Sequence, residues 1–330
     1  MKTKLVYVLV STEKDYYLEQ AYVSMLSARH HNPDATIVLV VDKLTNNSFV
    51  GFRGKEAAVA SETVVVNLDP SFSAKKRSRI LKTNLRNYIS GDFLFIDCDT
   101  IIAKPLDEID HLDKTIAAVW DSHCLLKDNP YAKLLCLKHG RRLGWPIDNA
   151  DVYFNSGVIY VKDNEEAHNF YTQWLQYYLD GNSKNISMDQ PAFAKTNYLM
   201  GNIIATLDAT WNCQVKFGTR YLKDAKIWHY LTTNKSRTNN PPFLLNREEI
   251  FQDIKTQERV PQEVLSLFDD PFTGIAEQTL LLSSDNVRFG TTFIFKHYAE
   301  AFGKSTLAFR LQESLLYNIF RINVRLKREK

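Results

Sequence analysis

The sequence has no apolar run approaching the ~20 residues that a membrane-spanning helix needs. It contains four cysteines, and none has the spacing of a metal site, so they are expected to be free, partly buried thiols in a reducing compartment. The net charge of +3 is too small to indicate a nucleic-acid partner. Repeats and low-complexity tracts are also lacking. These absences exclude membrane spans, disulfide scaffolds and repeat folds.

The composition is that of an ordinary globular protein, with 45% apolar and 24% charged residues among 330. This length suits one large domain with an appendage, or two domains. The N-terminus enters an apolar segment at once and charged residues follow soon after, which does not fit a secretory signal. We therefore expect a cytoplasmic protein.

Apolar runs alternate with helical patterns over the first 160 residues, which predicts an α/β fold with a mostly parallel central sheet flanked by helices. The predicted strands are 5–10, 36–41, 63–68, 93–96, 115–120 and 158–161, and the predicted helices are 17–30, 75–86 and 167–179. Strand signals fade after the Asn240-Pro241-Pro242 segment. We therefore predict a catalytic domain over 1–240 and a helical C-terminal region over 241–330.

Two carboxylates, Asp97 and Asp99, follow the apolar run 93–96 directly. Residues two apart on a strand point the same way, so both can project from the carboxyl end of a central strand, where open α/β sheets bind ligands. A divalent cation or a shared proton would relieve their repulsion. The alternative is that they are solvated carboxylates at the end of a strand, because Asp-x-Asp is a short and common pattern.

The predicted helix 75–86 is strongly basic and leads into the acidic strand. Arg79, Lys82 and Arg86 are spaced three and four residues apart and are expected to share a face. Such a face is usually solvated. Beside a carboxylate pair and a metal it would also suit a diphosphate group.

Six blocks follow one another in a recognisable order. They are Val10-Ser11-Thr12 with Tyr17, Arg79 ahead of Asp97-Cys98-Asp99, the 117–121 run ending in Asp121, the 153–158 run with Asn155-Ser156-Gly157, the 188–193 run with Asp189-Gln190, and the 227–230 run with His229. In this order, over residues 4–236, they resemble glycosyltransferase family 8. This is the group of glycogenin and the bacterial lipopolysaccharide galactosyl- and glucosyltransferases, nucleotide-sugar enzymes with a GT-A type fold.

The resemblance implies a role for each block. UDP would lie against Val10, Ser11, Thr12 and Tyr17, and Mn²⁺ or Mg²⁺ would be held by Asp97, Asp99 and His229, with Asp97 also near the ribose. Arg79 and Lys235 would contact phosphate, and Asn155, Asp121, Asp189 and Gln190 would orient the donor sugar. The Lys235 segment departs from the family pattern, with Thr232 in place of a glycine and Ser236-Arg237 in place of Pro-Trp.

Several of these residues also have purely structural interpretations. His229 lies in an apolar run and could be a buried core histidine, although a neutral imidazole completes an Asp/Asp/His manganese site well. The Asn155-Ser156-Gly157 segment could be a tight turn or a β-bulge. Asp189 could cap a helix that begins before Pro191. Trp211, in a Trp-Asn pair similar to the family's acceptor side, could equally pack in the core.

The resemblance implies metal-dependent transfer of a hexose from a UDP-sugar to a hydroxyl of a glycan or lipid-linked acceptor, with retention of anomeric configuration. No carboxylate stands out as a nucleophile. One alternative is a haloacid-dehalogenase-type phosphatase with Asp97 as nucleophile and Asp269-Asp270 as its later acidic motif. Another is a non-catalytic homologue that binds sugar nucleotides.

The C-terminal segment 317–330 is basic, with apolar residues between the charges. Its cations are Arg321, Arg325, Lys327, Arg328 and Lys330. A solvated terminal helix is the ordinary interpretation. The alternative is a peripheral contact with anionic lipid on the inner face of the membrane, to which each basic residue would add roughly 1 kcal/mol.

Overall fold

The sheet predicted from the alternating pattern is present in the computed structural model, which describes residues 1–132, 135–147, 150–231, 242–276, 289–290, 292 and 307–328. The chain divides into two units, Met1–Leu280 and Leu281–Lys330. The boundary predicted at residue 240 lies outside the described residues. In this division, the helices between residues 248 and 269 belong to the first unit.

Within the described residues, ten strands form two sheets. In chain order they are β1 (Lys4–Leu9), β2 (Ile37–Asp42), β3 (Glu62–Val66), β4 (Phe93–Ile96), β5 (Thr100–Ile102), β6 (Ile116–Trp120), β7 (Phe154–Val161), β8 (Ile204–Thr206), β9 (Cys213–Gln214) and β10 (Ile227–His229). The main sheet has the order β3-β2-β1-β4-β7-β6-β8, and only β7 runs antiparallel to its neighbours. The small sheet has the order β5-β10-β9.

The described residues also form helices, and those of the first unit account for the buried strands. The helices are α1 (Tyr17–His31), α2 (Lys43–Asn47), α3 (Phe52–Ala57), α4 (Ala74–Thr83), α5 (Arg141–Leu143), α6 (Glu165–Ser183), α7 (Gln190–Leu199), α8 (Glu248–Gln257), α9 (Gln262–Asp269) and α10 (Leu307–Arg328), with a π-helical turn at Leu135–Gly140. All residues of β2, β4 and β7 are buried. Such strands, covered on both faces, have the continuous apolar sequence from which the sheet was predicted.

Helix α4 is shorter than predicted, and this separates the three basic residues. It ends at Thr83, because Asn84 leaves helical geometry at φ −120° and ψ 12° and a 3₁₀ turn follows. Arg86 on that turn is 1% exposed and lies 3.4 Å from Asp163, whereas Arg79 and Lys82 face other carboxylates. The prediction of one continuous basic face is therefore wrong for Arg86.

Helices α8 and α9 share an apolar core with α1 and the small sheet. This core includes Val23 of α1, Trp228 of β10 and, from the two later helices, Phe251, Ile254 and Leu267. It places α8 beside the N-terminal end of α1, where Tyr16 stacks on Phe251 with ring centroids 6.4 Å apart. Helix α8 thus lies against the loop between β1 and α1.

Helix α10 belongs to the second unit and exposes large apolar side chains. They are Leu307, Leu311, Leu315, Leu316, Tyr317 and Ile319. The side chains of the basic segment beyond residue 319 lie outside the described residues. Within the described part of the chain, no helix combines the length and apolarity needed to cross a membrane.

Candidate active site

Asp97 and Asp99 lie between strands of the two sheets. β4 of the main sheet ends at Ile96, and β5 of the small sheet begins at Thr100. The backbone N–H of Asp97 donates to the Gly157 carbonyl at 2.7 Å, which fixes the chain against β7 as it leaves the main sheet. The carboxylate pair therefore lies at the carboxyl end of a central strand, as the sequence predicted.

The register of the small sheet brings His229 to the same place. β10 pairs with β5 so that His229 lies opposite Thr100, and the Tyr230 N–H donates to the Asp99 carbonyl at 3.0 Å. Nε2 of His229 is 3.2 Å from Oδ1 of Asp99. One ligand atom from each of Asp97, Asp99 and His229 lies within 4.8 Å of the other two.

Hydrogen bonds fix the tautomer of His229. The backbone N–H of Gly157 donates to Oδ1 of Asn155 at 2.9 Å, so this atom is the amide oxygen. It also accepts from Nδ2 of Asn212 at 2.9 Å, which turns Oδ1 of Asn212 towards Nδ1 of His229, 2.9 Å away. In its neutral form the imidazole therefore donates from Nδ1 and carries its lone pair on Nε2, on the side of the carboxylates, as a metal-binding histidine requires.

Residue 157 is a glycine, so it adds no side chain between the candidate metal ligands Asp97, Asp99 and His229. A Cβ built on it would lie 2.3 Å from Cε1 of His229 and 2.9 Å from both Oδ2 of Asp97 and Oδ1 of Asn155. The residue lies in β7 beside an irregularity in the β6–β7 register between Ala118 and Trp120. A strand bulge next to a site is a common use of such an irregularity.

Two cations from α4 lie next to these carboxylates. Nζ of Lys82 is 3.2 Å from Oδ1 of Asp97 and 3.4 Å from Oδ2 of Asp189, and its side chain is 3% exposed. Nε of Arg79 is 2.9 Å from Oδ1 of Asp189. Burial raises the pKa of the Asp189 carboxyl, but Arg79, Lys82 and a hydrogen bond from Ser156 outweigh it and hold that pKa below its ordinary value.

Charge also shifts the pKa values of the ligands. Burial raises the pKa of Asp97 in spite of the nearby Lys82 and His229. Burial alone would lower the pKa of His229, but the carboxylate of Asp99 outweighs it and the pKa is raised. Once deprotonated, the two carboxylates and the imidazole are the oxygen and nitrogen donors that Mn²⁺ accepts, so the residues fit a divalent metal, which would displace their protons on binding.

The chain was compared with known proteins. Residues 8–236 match the profile of "Glycosyl transferase family 8". The chain belongs to this family.

Several solved glycosyltransferase structures resemble that of this chain. The galactosyltransferase LgtC, solved with donor and acceptor sugar analogs, is 17% identical with a TM-score of 0.50, over 80% of this chain and 99% of LgtC. Mouse xyloside xylosyltransferase 1 is 14% identical with a TM-score of 0.48, over 72% of this chain and 99% of its own. The glycosyltransferase GlyE of Streptococcus pneumoniae is 14% identical with a TM-score of 0.48, over 84% of this chain and 67% of its own. No curated protein sequence matches significantly.

The family and the fold confirm two predictions. The chain is a glycosyltransferase, and its fold is of the GT-A type. Family 8 membership argues against the phosphatase alternative. Asp269, one of the two acids proposed for it, contacts Nε2 of His30 at 2.9 Å, and Asp270 accepts from the Phe272 N–H at 3.0 Å.

Of the four residues predicted to orient the donor sugar, Asn155 and Gln190 form a hydrogen-bonded group with Asp121, and Asp189 lies outside this group. The Asp121 carboxylate accepts from Asn155 Nδ2 at 3.0 Å, from Gln190 Nε2 at 3.0 Å and from Asn129 Nδ2 at 2.9 Å. Asp189 occupies the N-cap position of α7 but makes no capping hydrogen bond with its side chain, because its carboxylate is engaged by Arg79, Lys82 and Ser156. Asp189 therefore occupies the predicted capping position, but the prediction that its side chain caps the helix is wrong.

The predicted nucleotide residues lie at the end of β1 and in the loop that follows. Val10 and Ser11 are buried, whereas Thr12 is exposed and Tyr17 is 43% exposed. Burial raises the pKa of Tyr17, and the charges of Asp15 and Asp99 add to this effect against that of Arg79. Lys235 lies outside the described residues. Trp211 is 7% exposed within the core of the main sheet, in agreement with its core interpretation.

Three residues that contact the candidate site were not predicted as site residues from the sequence. Lys82 was noticed only as one charge of a basic helix, although its spacing from Arg79 already placed both on one face. Ser156 and Asn212 were noticed only as members of the Asn155-Ser156-Gly157 segment and of the Trp-Asn pair. Their contacts with Asp189 and His229 depend on the assembled fold, which local patterns do not show.

Proposed function

We propose that this family 8 enzyme transfers a hexose from a UDP-sugar to a hydroxyl of a glycan or lipid-linked acceptor, with retention of configuration. The observation that carries the proposal is the convergence of Asp97, Asp99 and His229 within 4.8 Å, beside the buried ammonium of Lys82. A pyrophosphate needs both a divalent cation and organic cations, and this is the place in the described chain that offers the two together.

The metal would be Mn²⁺ or Mg²⁺, held by Oδ atoms of Asp97 and Asp99 and by Nε2 of His229. When bound, such a cation neutralises the charge that develops on the UDP leaving group as the bond to the sugar breaks. Arg79 and Lys82 add fixed positive charge at the same point. Lys235 is a further candidate for phosphate binding from the resemblance alone.

The residues around Asp121 suit the donor sugar. Asn155, Gln190 and Asp121 present amide and carboxylate groups whose orientations are already fixed by one another, so they can bind hydroxyls with little loss of side-chain freedom. Asp189 stays ionised because Arg79 and Lys82 pair with it, and its carboxylate would accept a hydrogen bond from a sugar hydroxyl. Uracil and ribose would lie against Val10, Ser11, Thr12 and Tyr17.

A thermal-shift experiment tests the donor site. UDP, ADP and GDP are each added with and without Mn²⁺, and Asp99→Asn is the control. We expect UDP with Mn²⁺ to stabilise the wild type selectively, by about 2.7 kcal/mol at a concentration 100 times its Kd, and to leave Asp99→Asn unaffected. Equal stabilisation by all three nucleotides, or by UDP without metal, would contradict the proposal.

We also propose that α10 contacts anionic lipid when the acceptor is lipid-linked. Leu311, Leu315 and Ile319 recur every four residues along the helix and are exposed. Basic residues follow at 321, 325, 327 and 328 in the sequence. A chain truncated after Ser314 should lose sedimentation with phosphatidylserine vesicles and keep its UDP binding. Unchanged sedimentation would exclude the contact.

A further inference from the structure

Side chains from other parts of the chain hold the loop between β1 and α1, residues Ser11–Tyr16, in place. Within the loop, Asp15 accepts from Ser11 Oγ at 2.7 Å and from the Thr12 N–H at 2.8 Å. These bonds shape the loop but do not attach it to the rest of the molecule. The attachments come from α2, where Oγ1 of Thr45 accepts from the Ser11 N–H at 3.1 Å, and from α3 and α8.

Lys255 of α8 holds the outer part of the loop. Its ammonium donates to the backbone carbonyls of Glu13 at 2.9 Å and Asp15 at 2.8 Å, and it lies 3.4 Å from Oε1 of Glu19. Two of the three N–H donors of the ammonium group thus bond to the loop, and Glu19 is its ion-pair partner. Lys255 is therefore held by the loop and by α1.

Glu19 links this contact to the other end of the loop. Its side chain is completely buried, and Arg53 of α3 approaches the same Oε1 atom to 3.9 Å. Arg53 also donates to Oγ of Ser11 at 3.2 Å. A buried carboxylate is strongly unfavourable without cationic partners, so Glu19 favours the positions in which both cations stay against the loop.

A second set of contacts ties α8 to the last residue of the loop. The Tyr16 hydroxyl donates to Oε1 of Gln252 at 2.8 Å, and the Tyr16 ring lies between Phe251 and the Lys255 ammonium, which is 5.0 Å from the ring centroid. Tyr17, the next residue, begins α1 and is one of the predicted nucleotide contacts. The contacts of α8 with the loop therefore end one residue before Tyr17.

We propose that Lys255, anchored on the buried Glu19, is a positioning residue for nucleotide binding. This proposal rests on the proposed function, because it assigns α8 to the site that would bind UDP. Helix α8 lies beyond residues 8–236, which match the family profile, so the resemblance does not imply this role. Part of the helical C-terminal region predicted over 241–330 would then complete the donor side.

The test compares Lys255→Met with Lys255→Arg and with a control lysine. Lys184→Met is matched, because Lys184 also makes one ion pair, with Asp180 at 2.9 Å, but lies at the exposed end of α6. We expect the Kd for UDP with Mn²⁺, measured by calorimetry, to rise about 10-fold in Lys255→Met, since charge-assisted hydrogen bonds are lost. Lys255→Arg should restore most of the affinity, and Lys184→Met should bind as the wild type does.

Two further readouts separate positioning from general stability. The KM for the donor should rise with kcat changed less than about twofold, because only a binding loop is loosened. Amide hydrogen exchange should increase in residues 11–17 and stay unchanged in β4 and β10. If Lys255→Met does not fold, Tyr16→Phe, which loses only the bond to Gln252, should still raise the Kd about twofold.

The outcomes distinguish the two proposals. Wild-type protein that binds no UDP would contradict the proposed function itself. Wild-type protein that binds UDP, together with a Lys255→Met variant that binds it equally well and exchanges no faster at residues 11–17, would overturn the role of Lys255 alone.

Discussion

The candidate site has two halves, a metal half around Asp97, Asp99 and His229 and a loop half formed by residues 11–17 after β1. Different chemistry holds each half in place. Around His229 the supporting groups are neutral amides, with Asn155 and Asn212 linking the imidazole to the Gly157 backbone. Around the loop after β1 they are buried charges, with Arg53 and Lys255 converging on Glu19. Amide hydrogen bonds specify direction, whereas a buried ion cluster tolerates some movement as long as opposite charges stay close.

This difference matches what each half would have to do. A metal ligand must present one lone pair within a few tenths of an ångström, and directional bonds to neutral groups achieve this at any pH at which the protein is folded. A loop that admits and releases a nucleotide can be held more loosely. We therefore expect the metal half to respond sharply to changes of shape, and the loop half to respond to changes of charge.

The largest effect is expected from Gly157→Ala. The new methyl group would overlap Cε1 of His229 at 2.3 Å, so the imidazole must leave its position. We expect Mn²⁺ affinity, measured by electron paramagnetic resonance, to fall by more than about 100-fold, because even partners outside the metal ligands account for 10- to 100-fold. Stability should also fall by about 1–3 kcal/mol through overpacking.

A second glycine serves as the control for this substitution. Gly181 lies within α6, and a Cβ there would meet the flexible end of Leu143 at 3.1 Å. Gly181→Ala should leave Mn²⁺ affinity unchanged. Undiminished Mn²⁺ binding by Gly157→Ala would show that His229 does not occupy its observed position in the metal-bound protein.

The next effect is expected from Asn212, which is fully buried. Asn212→Leu preserves the approximate shape but removes the acceptor for Nδ1 of His229, so the imidazole loses the bond that fixes its tautomer. We expect Mn²⁺ affinity to fall about 10- to 100-fold. Asn212→Asp keeps an acceptor oxygen and should bind Mn²⁺ more tightly than Asn212→Leu. Equal affinity in these two variants would show that the bond to His229 does not matter.

The sequence predicted the metal half better than the loop half, for a physical reason. Asp97 and Asp99 follow an apolar strand, and alternation along a strand fixes their relative direction over a few residues. His229 came from the family resemblance, and its proximity to Asp99 depends on the pairing of β5 with β10. The amides that orient it left no pattern, because hydrogen bonding between distant strands is not periodic in sequence.

The contacts of the loop half could not be predicted from local patterns at all. Lys255 and Glu13 are 242 residues apart, and an isolated lysine on an amphipathic helix looks like any solvated one. For the same reason Arg86 was wrongly predicted to share a face with Arg79 and Lys82, because its contact with Asp163 depends on where α4 ends. Burial of a charge is a property of the assembled core, and the sequence shows only that the charge exists.

The smallest effect on the site is expected for Glu56 of α3. Its substitution tests most directly whether the loop half is held by buried charge. The Glu56 carboxyl is buried near Glu19, and its oxygens accept no hydrogen bond from the described residues. Burial, with a further contribution from the charge of Glu19, raises the pKa of Glu56 from 4.5 to about 8, against the opposing charges of Arg53 and Lys255. The folded protein therefore holds a proton on Glu56 that the unfolded chain releases at lower pH.

The sign of the pH dependence follows from this difference. The stability contributed by protonated Glu56 is complete below pH 4.5 and is lost progressively as the pH rises to about 8. Glu56→Gln should thus match the wild type in urea unfolding at pH 5 and exceed it by about 1–3 kcal/mol at pH 8.5, because no buried charge forms. Glu62→Gln, at an exposed position on β3, should leave the difference between the two pH values unchanged. Mn²⁺ affinity should be the same in Glu56→Gln and the wild type at pH 7. Should Glu56→Gln instead lose as much stability between the two pH values as the wild type, the loop half would not be held by charge in the way the structure indicates.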